Sequence, residues 1–246
     1  MTRDLLIRGM IVGVIAGLLA FGFARVFGEP QVDHAIAFEE KMSQAAGAAA
    51  EPELVTRATQ AGIGLFTGIV VYSAALGGLF SLVFAFVHGR VSSLSPRSTA
   101  ALLALAGFVA IVLVPCIKYP MNPPAVGSPD TIGARTELFF VMLVVSLGAL
   151  AAAVGLAKRL YAQHGAWNAT LMAGAAYVVF IALGQYSLPA INEVPEQFSP
   201  TVLWSFRVAS LGIHVIVWTT LGLLFGALAE RVLAGQRPRY RLHAAR

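Results

Sequence analysis

Six apolar runs, each close to the roughly 20 residues that a bilayer crossing takes, leave this chain little choice of architecture. They fall at about 5–27, 61–87, 100–117, 138–157, 169–188 and 208–229. Only 12% of the residues are charged and the mean hydropathy is +0.77, whereas soluble domains carry about 25% charge. A backbone in hydrocarbon must satisfy its own hydrogen bonds, and a run of this length does so as a helix. The sequence therefore predicts an all-α integral membrane protein, a single transmembrane domain over 1–246 with six transmembrane helices paired as three helical hairpins. The outer loops are expected at about 28–60, 118–137 and 189–207.

Charge orients these helices. With the N-terminus inside, the inner segments hold eleven Lys and Arg against two acids, and the outer segments six against ten. Positive residues in short loops favour the cytoplasm, so both termini are expected there. The basic tail 234–246 reads as an anchor against anionic lipid. The overall pI near 9.7 thus reflects membrane topology and not nucleic-acid binding. The first apolar run exceeds the roughly 7–15 residues of a signal-peptide core, so a retained helix is expected.

Glycines four apart lie on one helix face and allow close backbone approach. Gly9, Gly13 and Gly17 form such a stripe, as do Gly64 with Gly68 and Gly222 with Gly226, so packing within the bundle or a homo-oligomer through Gly-rich helices is expected. The segment 62–68, GIGLFTG, lies inside an apolar run with no preceding strand and is no dinucleotide fingerprint. There is no P-loop, HExxH or GxSxG, which argues against an enzyme. The single cysteine, Cys116, excludes an internal disulfide and any CxxC motif.

Chemistry concentrates in the segments between runs. VPCIKYPMNPPAVG, 114–127, halts one run against Lys118, Tyr119 and prolines that cannot continue a helix. YSLPAINEVPEQFSP, 186–200, repeats that design. The first outer segment holds six of the twelve acids, with a short surface helix expected at 31–46. Asp33 lies on it with His34, just after Glu29; oxygen and imidazole donors suit a first-row divalent cation, and a solvated acidic loop is the plain alternative. His214 is the one ionisable residue far from the end of a run, so either a metal ligand, a proton carrier or a satisfied neutral imidazole. A vestibule that binds and then releases a metal needs carboxylates and amides, not a thiolate trap. Glu29, Asp33, Asn122, Asn192 and Glu193 fit that description. The competing reading is that they cap helices and brace Arg135 and Arg207. Arg135, Glu137 and Arg207, with Tyr119, Pro120, Pro123 and Pro124, are the expected gating or structural residues. Cys116 and Met121 are soft donors that more often serve as packing.

Three blocks carry a family resemblance: FGEPQVDHAIAFEE (27–40), KYPMNPPAVGSPDTIGART (118–136) and LPAINEVPEQFSPTVLWSFRVASLG (188–212). In them the chain resembles the CbtA family, the cobalt transporter subunit of bacteria. The resemblance implies a multi-pass protein of the bacterial cytoplasmic (inner) membrane that acts in cobalt uptake for cobalamin synthesis. It implies Co²⁺ as transported ion with no permanently bound cofactor, and a small single-helix partner, CbtB, with a histidine-rich end. This chain has no His-rich tract of its own, which such a partner would supply. The matched motif residues include Glu29, Pro30, Asp33, Glu39, Lys118 and Tyr119, then Pro120, Asn122, Pro123, Pro124 and Arg135, and finally Asn192, Glu193, Pro195 and Arg207. Neither Cys116 nor His214 belongs to the pattern, and alanine is usual where this chain has Met121. The family is usually described with five membrane helices, whereas the charge balance here supports six. A membrane scaffold that moves no solute and positions a metal-binding partner is the alternative function.

Overall fold

The computed structural model describes residues 1–47, 55–91 and 93–235. Glu51, Glu53 and the basic tail beyond residue 235, on which the charge argument also drew, lie outside them. The regular structure among the described residues is all helical, with no strand among them. In order they form α1 (Thr2–Phe23), α2 (Glu29–Ala45), α3 (Arg57–Thr59), α4 (Leu65–Val87), α5 (Pro96–Gly107), α6 (Val114–Lys118), α7 (Ile132–Ser187), α8 (Pro200–Thr220) and α9 (Gly226–Gly235). π-helical turns at Ala24–Gly28, Gln60–Gly64, Phe108–Leu113 and Leu221–Phe225 join neighbouring segments into longer rods. Five rods are long and apolar enough to cross a membrane: Thr2–Ala45, Arg57–Val87, Pro96–Lys118, Pro129–Ser187 and Pro200–Ala234.

Five rods stand where six runs were expected because α7 contains two of the runs. It is 56 residues long and loses helical torsions at Gly165 (φ 72°, ψ 171°), so two helical stretches meet there. The surface helix expected at 31–46 is α2, and it continues α1 through the π-turn at Ala24–Gly28. Side chains such as Val144, Phe180 and Leu183 on α7 are more than half exposed. Water would penalise that apolar surface at about 25 cal/mol per Å², and hydrocarbon would not. These helices make the chain a membrane protein.

The chain divides into two compact units. The first comprises Met1–Gly22, Val55–Leu105 and Val215–Arg246. Its central feature is a glycine seam between α1 and α4. A Cβ on Gly17 would come within 2.9 Å of Val70 Cα, and one on Gly13 within 2.8 Å of Ala74 Cα. On α4 the matching position is Gly77, where a Cβ would lie 2.9 Å from Gly13 Cα. The stripe expected on the first helix is thus a helix contact within the chain. Gly222 and Gly226 likewise meet α5, at Ala104, Ala100 and Arg97. Among the described residues a Cβ on Gly68 would meet nothing within 4 Å, and one on Gly64 would meet only Thr59 in its own rod. Phe80 and Phe84 on α4 each meet Phe225, with centroids 5.2–5.5 Å apart in edge-to-face pairs, a geometry favoured by the ring quadrupole.

The second unit comprises Phe23–Leu54 and Ala106–His214. Val114, Tyr119, Met142, Ala149 and Ile181 form one buried cluster. Ser146 and Tyr177 share a hydroxyl hydrogen bond of 3.0 Å between the two stretches of α7. A smaller cluster of Ala35, Val126 and Phe198 joins α2 to the segments 119–131 and 188–199. Phe38 meets Phe198 edge to face at 5.1 Å within it.

Candidate functional site

The site is built where α6 ends. Pro115 has no N–H to return to the preceding turn, and the π-turn Phe108–Leu113 lies directly before α6, the kind of local widening that often accompanies functional positions. The Val114 carbonyl accepts a hydrogen bond from Gln185 Nε2 at 3.0 Å. Tyr119, 8% exposed, donates its hydroxyl to the Pro189 carbonyl at 2.9 Å, and burial pushes its phenol above the ordinary value. Beyond it the prolines set a tight turn. Val126 N–H donates to Pro123 O at 3.3 Å, and Ala125 at the third position has φ 65°. Proline second and positive φ third is the type II arrangement. Gly127 follows at φ 121° with its open face against the Arg135 guanidinium.

Two polar ties fix this segment to the segment 188–207. In the first, one Glu193 oxygen accepts from Ser128 N–H at 2.7 Å and from the Thr131 hydroxyl at 2.8 Å. Arg135 Nε lies 3.5 Å from the same oxygen, an ion-pair distance without hydrogen-bond geometry. Arg135 Nη2 also donates to Ser128 O at 3.1 Å. In the second, Arg207 Nη2 donates to Asn122 Oδ1 at 2.8 Å. Ser128 caps the short 3₁₀ turn Pro129–Thr131 by accepting from Asp130 N–H, so the turn that leads into α7 supplies two of the groups that hold Glu193.

The Glu193 side chain is only 20% exposed. The Thr131 hydroxyl, the Ser128 amide and the Arg135 charge together hold its carboxyl below the ordinary value of 4.5. A carboxylate depressed on folding contributes stability above its unfolded pKa and loses it as pH falls through the folded one. We expect thermal stability of the detergent-solubilised protein to fall from about pH 5 downward, with a smaller fall in Glu193→Gln. Parallel pH profiles for the two proteins would show that this carboxylate is not the group responsible.

Asn122 and Arg135, one member of each tie, line a cavity of 590 Å³ together with Tyr119, Pro123, Thr136, Phe139 and Ile191, among others. Pro120 and Pro124 also line it. The structure thus brings together Tyr119, the three prolines, Asn122, Glu193, Arg135 and Arg207. Glu29 is buried in the first turn of α2, and Asp33 and His34 are exposed on the same helix; neither Glu29 nor Asp33 lacks a polar partner. Asn192 and Glu137 are exposed. His214 lies in α8 with Nδ1 buried and not hydrogen-bonded among the described residues. No group of three or more His, Cys, Asp or Glu among the described residues is placed to hold a metal ion. Sequence reasoning missed Gly127, Ser128, Thr131 and Gln185. For Ser128 the signal was present, a serine before proline at a helix start.

No curated protein and no solved structure matches the chain. The resemblance read from the three sequence blocks is borne out, and it points to transport and not to an enzyme family. The family model for CbtA, a probable cobalt transporter subunit, matches residues 2–230, and with nearly its whole length covered the chain belongs to that family.

Proposed function

We propose that this chain is the membrane path for divalent cobalt in a bacterial cytoplasmic membrane, supplying cobalt for cobalamin synthesis together with a small His-rich, single-helix partner. In this reading the two stretches of α7 cross separately, giving six crossings with both termini in the cytoplasm. The observation that carries it is the double tie of Glu193 to Arg135 and Asn122 to Arg207, of which Arg135 and Asn122 line the 590 Å³ cavity. Each tie pairs a group able to ligate a cation with an arginine that a cation would displace. An ion that takes the Glu193 carboxylate must release Arg135, and one that takes Asn122 must release Arg207. Occupancy and closure then exclude each other, and differential binding to the open form is what a ligand needs to shift such an equilibrium. Glu29, Asp33, His34 and Asn192 would extend the outer ligand set, with His214 further along.

The alternative, a scaffold that positions a metal-binding partner, is favoured by the absence of a three-ligand metal group among the described residues. Uptake of labelled Co²⁺ into liposomes holding the purified chain, with and without the partner, separates the two. We expect uptake, reduced at least tenfold in the double substitution Asp33→Asn, Glu193→Gln while the protein stays folded and monodisperse; removing charge at a filter of oxygen ligands weakens capture. No Co²⁺ uptake in either preparation establishes the scaffold reading.

A further inference from the structure

The first compact unit holds a second polar cavity, of 540 Å³, whose lining includes His88, Ser93, Ser95 and Glu230. His88 directly follows α4. Its ring stacks on Phe84 at 5.2 Å and 8°, and Phe84 is fully buried, so the imidazole plane is fixed from one side. From another side its Nδ1 lies 3.4 Å from Thr99 Oγ1. The Thr99 hydroxyl donates to the Leu94 carbonyl at 3.5 Å, which leaves the threonine oxygen as acceptor toward His88. The imidazole proton then belongs on Nδ1, and the Nε2 lone pair is the free one. This is the arrangement that orients a metal-ligating histidine: one nitrogen hydrogen-bonded to a fixed partner, the other presented to the ion.

Glu230 reaches the same cavity because α9 meets α5 closely. A Cβ on Gly226, one turn before Glu230, would lie 3.1 Å from Ala100 Cβ and 3.3 Å from Arg97 Cα. That approach sets the Glu230 carboxylate 2.6 Å from Arg97 Nε. The pair is open to solvent, with Arg97 62% and Glu230 36% exposed, and exposed pairs contribute little stability. A carboxylate has acceptor capacity left beyond one guanidinium contact.

We propose that His88 Nε2 and the Glu230 carboxylate form a second divalent-cation site. Imidazole nitrogen with carboxylate oxygen is a donor set for borderline first-row cations, and the Ser93 and Ser95 hydroxyls or water complete it. Two protein ligands hold an ion loosely, as release requires. The charge pattern assigns these residues to the cytoplasmic side, so this is the release site. Arg97 competes with the ion for Glu230 and re-forms the pair once the ion departs. The choice of cobalt rests on the transport reading above.

Equilibrium dialysis of the full-length purified chain in detergent against Co²⁺ tests the site. The wild type is expected to bind one more Co²⁺ than either H88Q or E230Q. R97Q removes the competitor and binds that ion more tightly, and T99V, which loses the partner of Nδ1, binds it about tenfold more weakly. Wild-type stoichiometry in both H88Q and E230Q overturns the proposal, as does weaker binding in R97Q, the result of a purely structural ion pair. E230Q keeps a hydrogen-bonding partner for Arg97, so it serves where H88Q misfolds. Liposomes of the same preparations, with and without the small partner, separate this idea from transport. Binding of the expected pattern without uptake leaves the site standing and removes the transport reading; uptake with unchanged stoichiometry does the reverse.

Discussion

Gly13→Leu is expected to destabilise the protein by more than about 3 kcal/mol, beyond the 1–3 typical of core overpacking. The reason lies in what the new atoms meet. The first added carbon alone would lie 2.8 Å from Ala74 Cα and 2.9 Å from the Ser73 carbonyl carbon, and both are helix backbone that no rotamer change can move aside. The two helices must separate over several turns, because Gly9, Gly17 and Gly77 share the seam. In lipid that loss is not recovered elsewhere, since close packing and not water exclusion holds membrane helices together. Gly68→Leu provides the control: nothing lies within 4 Å of its would-be Cβ, and a change of about 0.5 kcal/mol or less is expected. Thermal unfolding in detergent compares them, and equal losses in the two variants would remove the seam from the account.

Gly127→Ala should be the most damaging small change in the outer segments, at about 3 kcal/mol. Two effects add. Positive φ at 121° strains any side-chain-bearing residue, and a Cβ would sit 2.6 Å from Arg135 Cζ and 2.7 Å from its Nη2. The guanidinium is the mobile end of a long side chain, so it gives way and leaves Ser128 O and Glu193. The substitution therefore acts on the first tie as well as on the turn. Combined with Glu193→Gln it should be strongly non-additive, because both remove one network. Losses that simply sum would place the strain in the turn alone and leave Arg135 undisturbed.

Hydropathy marks where a helix must lie in lipid, and on that ground the apolar runs were legible. Where the helices start was encoded differently. α5 begins at Pro96 and α8 at Pro200, ahead of runs that open at about 100 and 208, and α7 starts before 138 for the same reason. Ser95, Ser128 and Ser199 each accept from an amide two or three residues on, and each is followed by proline. The three Ser-Pro pairs are a start signal that an apolarity count passes over. The glycine stripe on α1 was legible because spacing of four keeps to one face. On α4 the seam passes Gly68 by because nine residues from Gly77 is about half a turn out of phase, which leaves Gly68 on the face turned away from α1. Asn122 and Glu193 stood out as polar groups in proline-rich segments. Arg135 and Arg207 stood out as the arginines such groups would brace, whereas Ser128 and Thr131 did not, since 62 to 65 residues separate them from Glu193 and no local pattern reports a pairing at that range.

Gly165 carries a consequence for how the polypeptide is threaded. As one unbroken rod, the 56 residues of α7 would measure about 84 Å, nearly three times a hydrocarbon core of about 30 Å. Its torsions, φ 72° and ψ 171°, lie in territory open essentially to glycine. Any residue with a Cβ would be strained there by about 1–3 kcal/mol, which favours a straighter path between the two stretches. On the six-crossing reading proposed above, a straight path would replace two traverses by one and change the parity of crossings from even to odd, so that every residue after 165 would exchange compartments.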